Sequence, residues 1–390
     1  MQQSIAIAGG GIAGLTAALA LQQRGRAVCI YEQASQLSEI GAGLTLSPNA
    51  TRVLIGLGLE HALASRARVP GEQVIQHFRT GEALLKVSRG TEFARKYGAP
   101  YWQIHRADLH NTLLDAVLAR DPDCLKLEHR LKGLRQDEAG VRLEFQNGAT
   151  AEVPVLLGCD GLKSAVRGWL FDEGEPEFTG YAVWRGMVPR TALSAKALTI
   201  PAGLFIGPDR MLARYSLRDG ALINYAASQR RDTWTEEGWT INAPVAELLD
   251  LFADFHPTAR EIMAATPADS CFRWGLFSRQ PLQEWSRGRV ALLGDAAHPT
   301  LPFLGQGANL AIEDGLVAAR ALVSYSDSAE ALRNYSATRV KRGTRVMQQS
   351  VTAVERYFNS TSTEFDPSRL VNEESLGLFD YDASTVPIEG

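Results

Sequence analysis

The chain has 390 residues, enough for two or more packed layers or domains, and its 45% hydrophobic and 22% charged content is typical of a soluble globular protein. A formal net charge of -4 gives no bulk electrostatic reason for binding nucleic acid or an anionic membrane surface. No stretch predicts a membrane span, and four scattered cysteines without a CxxC pattern suggest neither a metal site nor a disulfide framework, so a cytoplasmic location is expected.

The first predicted elements form a cradle for a dinucleotide pyrophosphate. Residues 4–8 predict a short buried strand, and residues 15–23 predict an apolar helix. Between them, Gly9, Gly11 and Gly14 have GxGxxG spacing. The first glycine allows a tight turn, the second lets the backbone approach the phosphates, and the third lets the helix pack on the strand.

A carboxylate follows the next predicted strand, residues 27–31. Glu32 lies 18 residues after Gly14, at the spacing of an acidic residue that accepts hydrogen bonds from a ribose diol. Such a carboxylate repels a 2'-phosphate, so the site favours the adenosine of FAD or NAD over that of NADP. The position of the motif does not decide between FAD and NAD.

The middle of the chain predicts a second apolar strand and then a sheet. PVLLGCDGLKSAVR, residues 154–167, is an apolar strand that ends in a Gly-Cys-Asp-Gly turn. Residues 172–275 contain four strand-like segments with Gly, Asp and Pro breaks. In one of them, RMLARYSL, the two-residue period places Met211, Ala213 and Tyr215 on one face, opposite three residues that include Arg214.

Residues 289–315, RVALLGDAAHPTLPFLGQGANLAIEDG, join a strand, a Gly-Asp turn, a proline-rich loop and a helix that starts near Gly307. The start of a helix gathers unpaired N–H groups and partial positive charge, which suit an anion or a polarised carbonyl. A surface loop before a core helix is the alternative for this stretch taken alone.

The three motifs occur in the order, and at roughly the spacing, found in flavoprotein aromatic hydroxylases. These motifs are GxGxxG with Glu32, Asp-Gly at 160–161 and Gly-Asp at 294–295. The chain therefore resembles the single-component FAD monooxygenases of the salicylate, hydroxybenzoate and hydroxynicotinate hydroxylase group, from residue 5 to residue 383. The resemblance implies an α/β fold with a Rossmann-like FAD-binding domain, an inserted mostly-β substrate domain and C-terminal helices.

The predicted domains follow the same resemblance. The FAD-binding domain comprises 1–75, 98–171 and 276–345; the substrate domain comprises 76–97 and 172–275; and a C-terminal helix and tail comprise 346–390.

The resemblance also implies which residues bind FAD. Arg106 matches an arginine that reaches the phosphate and ribityl region, although without the family a surface arginine at a helix start fits equally well. Asp160 matches an aspartate implicated in flavin and nicotinamide contacts, and Asp295 matches one that contacts the ribityl chain. The predicted cofactor-binding residues are Gly9, Gly11, Ile12, Ala13, Gly14, Glu32, Arg106, Asp160, Asp295, Gly305, Gly307, Ala308 and Asn309.

The implied reaction is hydroxylation of a small aromatic or heteroaromatic, phenolic acid-like substrate. NADH or NADPH reduces the flavin, O2 adds at its C4a atom, and the hydroperoxide delivers one oxygen atom to the ring. Thr45, Met211, Tyr215, Pro302 and Phe303 fall where relatives contact the substrate, with Tyr215 and Pro302 as the catalytic candidates.

The predicted pocket departs from that of the hydroxynicotinate relatives. Positions 45, 211 and 303 hold Thr, Met and Phe where those relatives have histidines, which predicts a drier, less basic pocket. Tyr215 is then the candidate to hydrogen-bond a substrate hydroxyl and help it lose its proton, and a core tyrosine is the alternative.

Several polar residues keep more than one interpretation. Arg185 and Arg214 could anchor a substrate carboxylate, form an interdomain ion pair or lie in solvent. His298 is structural or part of the cofactor shell, and the basic group at 339–345 fits a solvated helix face.

Other functions leave part of the sequence unexplained. An NAD-dependent dehydrogenase would account for the first motif and not for the two Asp-Gly and Gly-Asp motifs, and no WxWxIP segment of a halogenase is present. A non-hydroxylating flavin- or NAD-dependent oxidoreductase and a non-enzymatic FAD-binding sensor remain as alternatives. The sequence does not decide between a monomer and a homodimer.

Overall fold

The computed structural model describes residues 4–37, 42–171, 174–236, 238, 241–358 and 372–388. The elements of the first part are β1 (Ile5–Ala8), α1 (Ile12–Gln22), β2 (Val28–Tyr31), β3 (Gly43–Leu46), α2 (Pro48–Gly56), α3 (Glu60–Ala64), β4 (Glu72–His77), β5 (Ala83–Ser88), α4 (Thr91–Tyr97), β6 (Trp102–His105), α5 (Arg106–Leu118), β7 (Leu125–Lys126), β8 (Leu131–Gln136), β9 (Val141–Phe145), β10 (Thr150–Val153), β11 (Leu156–Gly158) and α6 (Ala165–Phe171).

The remaining elements are β12 (Glu177–Pro189), β13 (Ala202–Gly207), β14 (Arg210–Leu217), β15 (Leu222–Arg230), β16 (Ile241–Asn242), α7 (Val245–Leu251), α8 (Pro257–Ala264), β17 (Phe272–Ser278), β18 (Ser286–Arg287), β19 (Val290–Leu292), α9 (Gly307–Ser324) and α10 (Ser328–Phe358). Within the described residues, no helix is both long and apolar enough to cross a bilayer.

The first sheet carries the predicted cofactor motifs. Its order is β18-β19-β11-β1-β2-β7, and all of its pairs are parallel except β18 with β19. The central strands are short apolar runs buried on both faces, as expected of a parallel sheet covered by helices. Because the ends of β1, β11 and β19 lie side by side, the three glycine-containing turns that follow them meet at one edge.

The second large sheet has eight strands in the order β16-β17-β12-β15-β14-β13-β4-β5. One face packs against α7 and α8 in a core that contains Trp184, Phe205 and Phe252. The opposite face belongs to a separate apolar cluster with Val183, Met211 and other residues, and it borders a cavity. This two-sided arrangement requires the residue alternation that the sequence predicts for β14.

The observed elements differ from the predicted ones mainly at their ends. The helix predicted at 15–23 begins at Ile12, so the last three residues of the glycine motif form its first turn. β4 begins at Glu72 and joins the eight-stranded sheet, although the predicted boundary lies after residue 75. β17 and α10 likewise run across the predicted boundaries at 275 and 345. The division into domains stays a prediction.

Candidate active site

One cavity of about 520 Å³ brings most of the predicted cofactor and substrate residues together. It lies between the first turns of α1 and α9 and the eight-stranded sheet. The predicted residues that line it are Gly11, Ile12, Ala13, Thr45, Arg106, Met211, Tyr215, Asp295, Pro302, Phe303, Gly305, Gly307 and Ala308. The remaining predicted residues, Gly9, Gly14, Glu32, Asp160 and Asn309, lie outside this lining.

The glycine turn after β1 leads into the start of α1, where Gly11, Ile12 and Ala13 line the cavity. A Cβ on Gly9, whose φ is +107°, would collide with the carbonyl oxygen of Cys159, and a Cβ on Gly14 would collide with that of Gly9. A Cβ on Gly11 would meet no atom within 4 Å. Gly9 and Gly14 therefore serve close packing, whereas Gly11 leaves the start of α1 open to an anion.

Glu32 lies at the end of β2 beside this turn. Its Oε2 accepts a hydrogen bond of 2.8 Å from the Gly10 N–H, and its Oε1 accepts one of 2.9 Å from the Ala34 N–H. The carboxylate is thus fixed next to the glycine turn, where the ribose of a dinucleotide would be expected.

Asp295 and Arg106 both line the cavity, and the charge of Arg106 acts on the carboxyl group of Asp295. Asp295 has accessible surface, but that surface faces the cavity within the protein. Burial raises the pKa of its carboxyl group, and the neighbouring His298 and then Arg106 partly offset this effect. Gly294 has φ +61°, and a Cβ there would lie only 3.0 Å from Ala13. The turn therefore needs glycine in order to hold Asp295 against the start of α1.

Asp160 uses its carboxylate within its own turn. Its Oδ1 accepts from the hydroxyl group of Ser164 at 2.5 Å, and its Oδ2 accepts from the Val166 N–H at 3.1 Å. Burial raises the pKa of Asp160 while these hydrogen bonds lower it. The structure thus places Asp160 at the start of α6, and its contact with a cofactor stays a prediction.

Asn309 links α9 to β3 through its side chain. Its Nδ2 donates to the carbonyl oxygens of Thr45 and Gly305 at 3.0 and 2.7 Å, and its Oδ1 accepts from the Ser47 N–H at 2.8 Å. The amide is fully buried and occupied by these bonds. It therefore fixes the loop before α9 through bonds within the protein, and the contact of Asn309 with a cofactor stays a prediction.

The substrate half of the cavity contains the predicted face of β14. Met211 and Ala213 pack in the cavity-side cluster with Phe303, Leu301 and Leu304. The ring of Tyr215 lies so close to Gly43 that a Cβ there would come within 2.6 Å of the phenol oxygen. Burial, with a smaller contribution from nearby Tyr101, raises the pKa of Tyr215 well above its usual range. The phenol is therefore neutral near pH 7 and is a hydrogen-bonding group rather than a base.

Several polar residues of the substrate half are not predicted from the sequence. Tyr101 is only 2% exposed, burial raises its pKa to about 12, and its hydroxyl group interacts with Thr45 and Gln73. Arg89 is equally buried, stacks over the rings of Phe93, Tyr101 and Phe379, and forms an ion pair of 3.7 Å with Glu373. These residues come from separate segments and belong to no motif, so the sequence carried no signal for them.

The two candidate anchoring arginines are on opposite faces of the sheet. Arg214 donates to the carbonyl oxygen of Ala197 at 3.0 Å and to the side chain of Gln76 at 3.2 Å, and burial lowers its pKa to about 10. These bonds and its position over Phe205 tie it to the helix-covered face. Arg185 is partly buried and stacks on the ring of Trp274, with its Cζ 4.8 Å from the ring centre, and the anchoring role of either arginine stays a prediction.

A buried charge cluster supports the cofactor turn. Asp314 accepts hydrogen bonds from the Gly294 N–H at 2.9 Å and from Arg339 Nε at 2.8 Å, and it contacts His298 Nε2. Arg339 Nη2 lies 2.7 Å from Glu313. The prediction of a solvated helix face is wrong for Arg339, which is 0% exposed, because the two acidic residues of α9 face α10 and neutralise it.

The cavity and its rim fit FAD. Gly11 leaves space for a pyrophosphate at the start of α1, Glu32 is oriented beside it, and Arg106 supplies positive charge. Asp295 presents an acceptor for a polyol chain, and the N–H groups at the start of α9 border the same cavity. These groups suit the phosphate, ribose, ribityl and ring parts of FAD, and the assignment of individual residues to those parts stays a prediction.

A family model described as "FAD binding domain" matches residues 2–350. The chain is 37% identical to the 3-amino-4-hydroxybenzoate 2-monooxygenase PtnB3 of Streptomyces platensis, over 89% of this chain and 86% of that protein. It is 32% identical to the 6-hydroxynicotinate 3-monooxygenase of Pseudomonas fluorescens, over 100% of this chain and 98% of that protein.

The fold matches that of a flavoprotein of known structure. The crystal structure of Klebsiella pneumoniae HpxO complexed with FAD and uric acid has a TM-score of 0.82 and 25% identity, covering 98% of this chain and 94% of that one. The family match and these relatives confirm the fold class and the FAD cofactor expected from the sequence. The chain belongs to the FAD-binding-domain family and is an FAD-dependent monooxygenase of the aromatic hydroxylase type.

Proposed function

We propose that this enzyme hydroxylates a small, phenolic acid-like aromatic or heteroaromatic ring at the Tyr215 end of the cavity, with NADH or NADPH and O2 as co-substrates. The observation that carries the proposal is that Tyr215, Thr45 and the predicted flavin-side loop Pro302–Leu304 line one and the same cavity. When bound, FAD supplies electron transfer from the nicotinamide and activation of O2.

The chain's own residues bind and orient the ring. Tyr215, a neutral phenol, donates a hydrogen bond to the hydroxyl oxygen of the substrate and stabilises the negative charge that forms there as the proton leaves. Pro302 starts the turn Pro302–Leu304, and its carbonyl oxygen accepts a hydrogen bond of 2.9 Å from the Gly305 N–H. This bond fixes the wall between the substrate and the flavin.

Apolar residues keep water away from the reacting ring. Leu301, Leu304 and Met211 are 2%, 3% and 4% exposed, and all three line the cavity. Exclusion of water strengthens the hydrogen bond of Tyr215 and protects the activated oxygen from side reactions.

The test is oxygen incorporation by the purified holoenzyme. FAD content is measured first, then NADH and NADPH oxidation with hydroxybenzoates, hydroxypyridines, indoles and quinolines, with product mass checked for one added oxygen atom. Stimulated oxidation with this mass gain supports the proposal. NAD(P)H oxidation that inserts oxygen into none of the rings would favour a non-hydroxylating oxidoreductase. Bound FAD with NAD(P)H oxidation that no ring stimulates would favour a sensor.

Gly11→Ala is expected to weaken FAD affinity by at least about tenfold while changing the free energy of unfolding of the apoprotein by about 1 kcal/mol or less. The added methyl group meets no protein atom but projects into the space expected for the pyrophosphate. Fluorescence titration of the apoprotein with FAD measures the first effect and thermal unfolding the second. Gly14→Ala is the contrasting variant, since its Cβ collides with the Gly9 carbonyl and lowers the stability of the apoprotein itself.

Gly43→Ala is expected to displace the ring of Tyr215 and lower the yield of hydroxylated product per NAD(P)H by several-fold. The added Cβ would lie 2.6 Å from the phenol oxygen, closer than van der Waals contact allows. Product per NAD(P)H consumed is measured by chromatography. Gly133→Ala, where a Cβ meets no atom within 4 Å, is the control, and equal yields in the two variants would contradict the proposed placement of Tyr215.

We also propose a cytoplasmic location and a monomeric or homodimeric enzyme. The four cysteines are free thiols, which suits a reducing compartment that supplies NAD(P)H. Fractionation of the native cells and light scattering of the purified protein test these two points.

A further inference from the structure

We propose that His110 is a positioning residue for the FAD cofactor. It holds the peptide unit between Gly10 and Gly11 in one orientation, so that the Gly11 N–H group donates to the pyrophosphate. This role concerns the binding of the cofactor and is the same whichever ring the enzyme hydroxylates.

Helix α5 brings His110 to the glycine turn. α5 packs against α1, and its first residue, Arg106, lines the cavity. His110 follows Arg106 by four residues, which places the two side chains on the same face of the helix. His110 is only 1% exposed, and its Nε2 atom lies 2.7 Å from the carbonyl oxygen of Gly10. Because a carbonyl oxygen can only accept, Nε2 is the donor in this hydrogen bond.

The geometry of the peptide unit carries the effect of this bond to Gly11. The Gly10 carbonyl group and the Gly11 N–H group belong to one planar trans unit, so they point in opposite directions. A donor that fixes the carbonyl oxygen therefore also fixes the direction of the N–H group. Gly11 precedes α1 and lines the cavity. Its N–H group belongs to a helix start, where N–H groups lack partners within the helix and suit an anion.

Consecutive glycines make the turn dependent on such contacts. A glycine adopts either sign of φ readily, so a peptide unit between two glycines can rotate at little steric cost. The preceding units have their own partners: the Gly9 N–H donates to the Tyr31 carbonyl oxygen at 2.8 Å, and the Gly10 N–H donates to Glu32 at 2.8 Å. His110 supplies the contact that holds the next unit.

A rotated unit would present the wrong group to the cofactor. The Gly10 carbonyl oxygen would take the place of the Gly11 N–H, and a hydrogen bond to the phosphate would be replaced by repulsion between negative charges. His110 lies outside the cavity lining, so it acts through this peptide unit and not by touching the cofactor. The two residues of α5 thus have different roles, since Arg106 supplies charge and His110 fixes an orientation.

The experiment separates the two halves of the cofactor. The full-length apoprotein, prepared from the purified holoenzyme, is titrated with FAD, with ADP and with riboflavin, and dissociation constants are measured by fluorescence and calorimetry. ADP carries the pyrophosphate, whereas riboflavin carries no phosphate. The rate of FAD release from the holoenzyme is measured in parallel.

Three variants of His110 distinguish its hydrogen bond from its volume. His110→Leu removes the donor, His110→Gln places an amide N–H group within reach of the same oxygen, and His110→Asn has an amide that is too short to reach it. His256→Leu is the matched control, because His256 accepts from the Thr258 N–H at 3.2 Å at the start of α8, outside the cavity lining.

We expect His110→Leu to weaken the binding of FAD and of ADP by the same factor, about 10- to 100-fold, because a charge-assisted hydrogen bond to the pyrophosphate is lost. FAD release should become faster, and riboflavin binding should change little. His110→Gln should restore most of the affinity, and His256→Leu should retain all of it. His110→Asn should resemble His110→Leu and provides the same comparison if the leucine variant does not fold, which the melting temperature reports.

Three outcomes would overturn the inference. The first is wild-type affinity for FAD and ADP in a folded His110→Leu or His110→Asn apoprotein. The second is an equal loss for ADP and riboflavin, because this would indicate a general loss of structure in the cofactor site. The third is equal binding of ADP by His110→Gln and His110→Asn, because the effect would then not depend on the hydrogen-bond donor.

Discussion

Tyr215→Phe is expected to lower the hydroxylation rate by about 10- to 100-fold while changing the rate of flavin reduction by less than about threefold. The expected loss is that of one hydrogen bond to a developing charge, about 1.5–3 kcal/mol in a site shielded from water. Flavin reduction does not use this bond, so the two half-reactions should separate.

The physical reason is the protonation state of the phenol. Burial, followed by the proximity of Tyr101, raises the pKa of Tyr215, so the group keeps its proton throughout the neutral pH range. It donates to the oxygen of the substrate and lowers the pKa of the substrate hydroxyl, while the substrate's proton passes to another acceptor. The hydroxylation rate should therefore show no pH dependence caused by Tyr215 near neutral pH.

Stopped-flow spectroscopy measures the two half-reactions separately, first reduction of the flavin under anaerobic conditions and then reaction of the reduced complex with O2. Tyr325→Phe is a matched control, because its hydroxyl group donates to the Ile388 carbonyl oxygen at 2.8 Å, outside the cavity lining. An unchanged hydroxylation rate and yield in Tyr215→Phe would remove Tyr215 from the mechanism.

Arg339→Met is expected to destabilise the protein by about 3–5 kcal/mol, because it leaves buried carboxylates without their shared cation. Glu313 keeps Arg342, whereas among the described residues Asp314 keeps only His298 and the Gly294 N–H group. Since Asp314 also holds the turn that presents Asp295, FAD affinity should fall together with stability.

Acid unfolding provides a second measurement. Burial alone would raise the pKa of Asp314, but His298 and Arg339 outweigh it and hold the pKa at about 2. A pKa below the usual value of about 3.9 contributes stability that is complete above pH 4 and is lost as the pH falls toward 2. Removing Arg339 should raise this pKa and move the loss of stability to higher pH.

Thermal and acid unfolding of the variant are compared with those of Lys341→Met, an exposed residue of the same helix whose replacement should change stability by less than about 0.5 kcal/mol. Similar melting temperatures and acid transitions for the two variants would contradict the role of the buried cluster.

The predictable parts of this site depend on local rules. A glycine turn between a strand and a helix requires specific spacing, and the sequence therefore placed Gly11 at the open start of α1. The two-residue period of a strand similarly placed Met211 and Ala213 on the cavity face. The same period places Arg214 on the opposite face of β14, but it could not place Arg185, because nothing in the sequence says which face of β12 meets the cavity.

The sequence by itself determined the family, the cofactor and the residues within each motif, since these depend on spacings of a few residues along one chain. Only the tertiary structure decided which side chains from distant segments line the same cavity. Tyr101, Arg89 and Glu373 meet there from different segments. Pairing of charges between helices α9 and α10 buried Arg339, which sequence alone assigned to the surface. Such contacts depend on how sheets and helices pack, and packing energy does not follow from the spacing of residues along the chain.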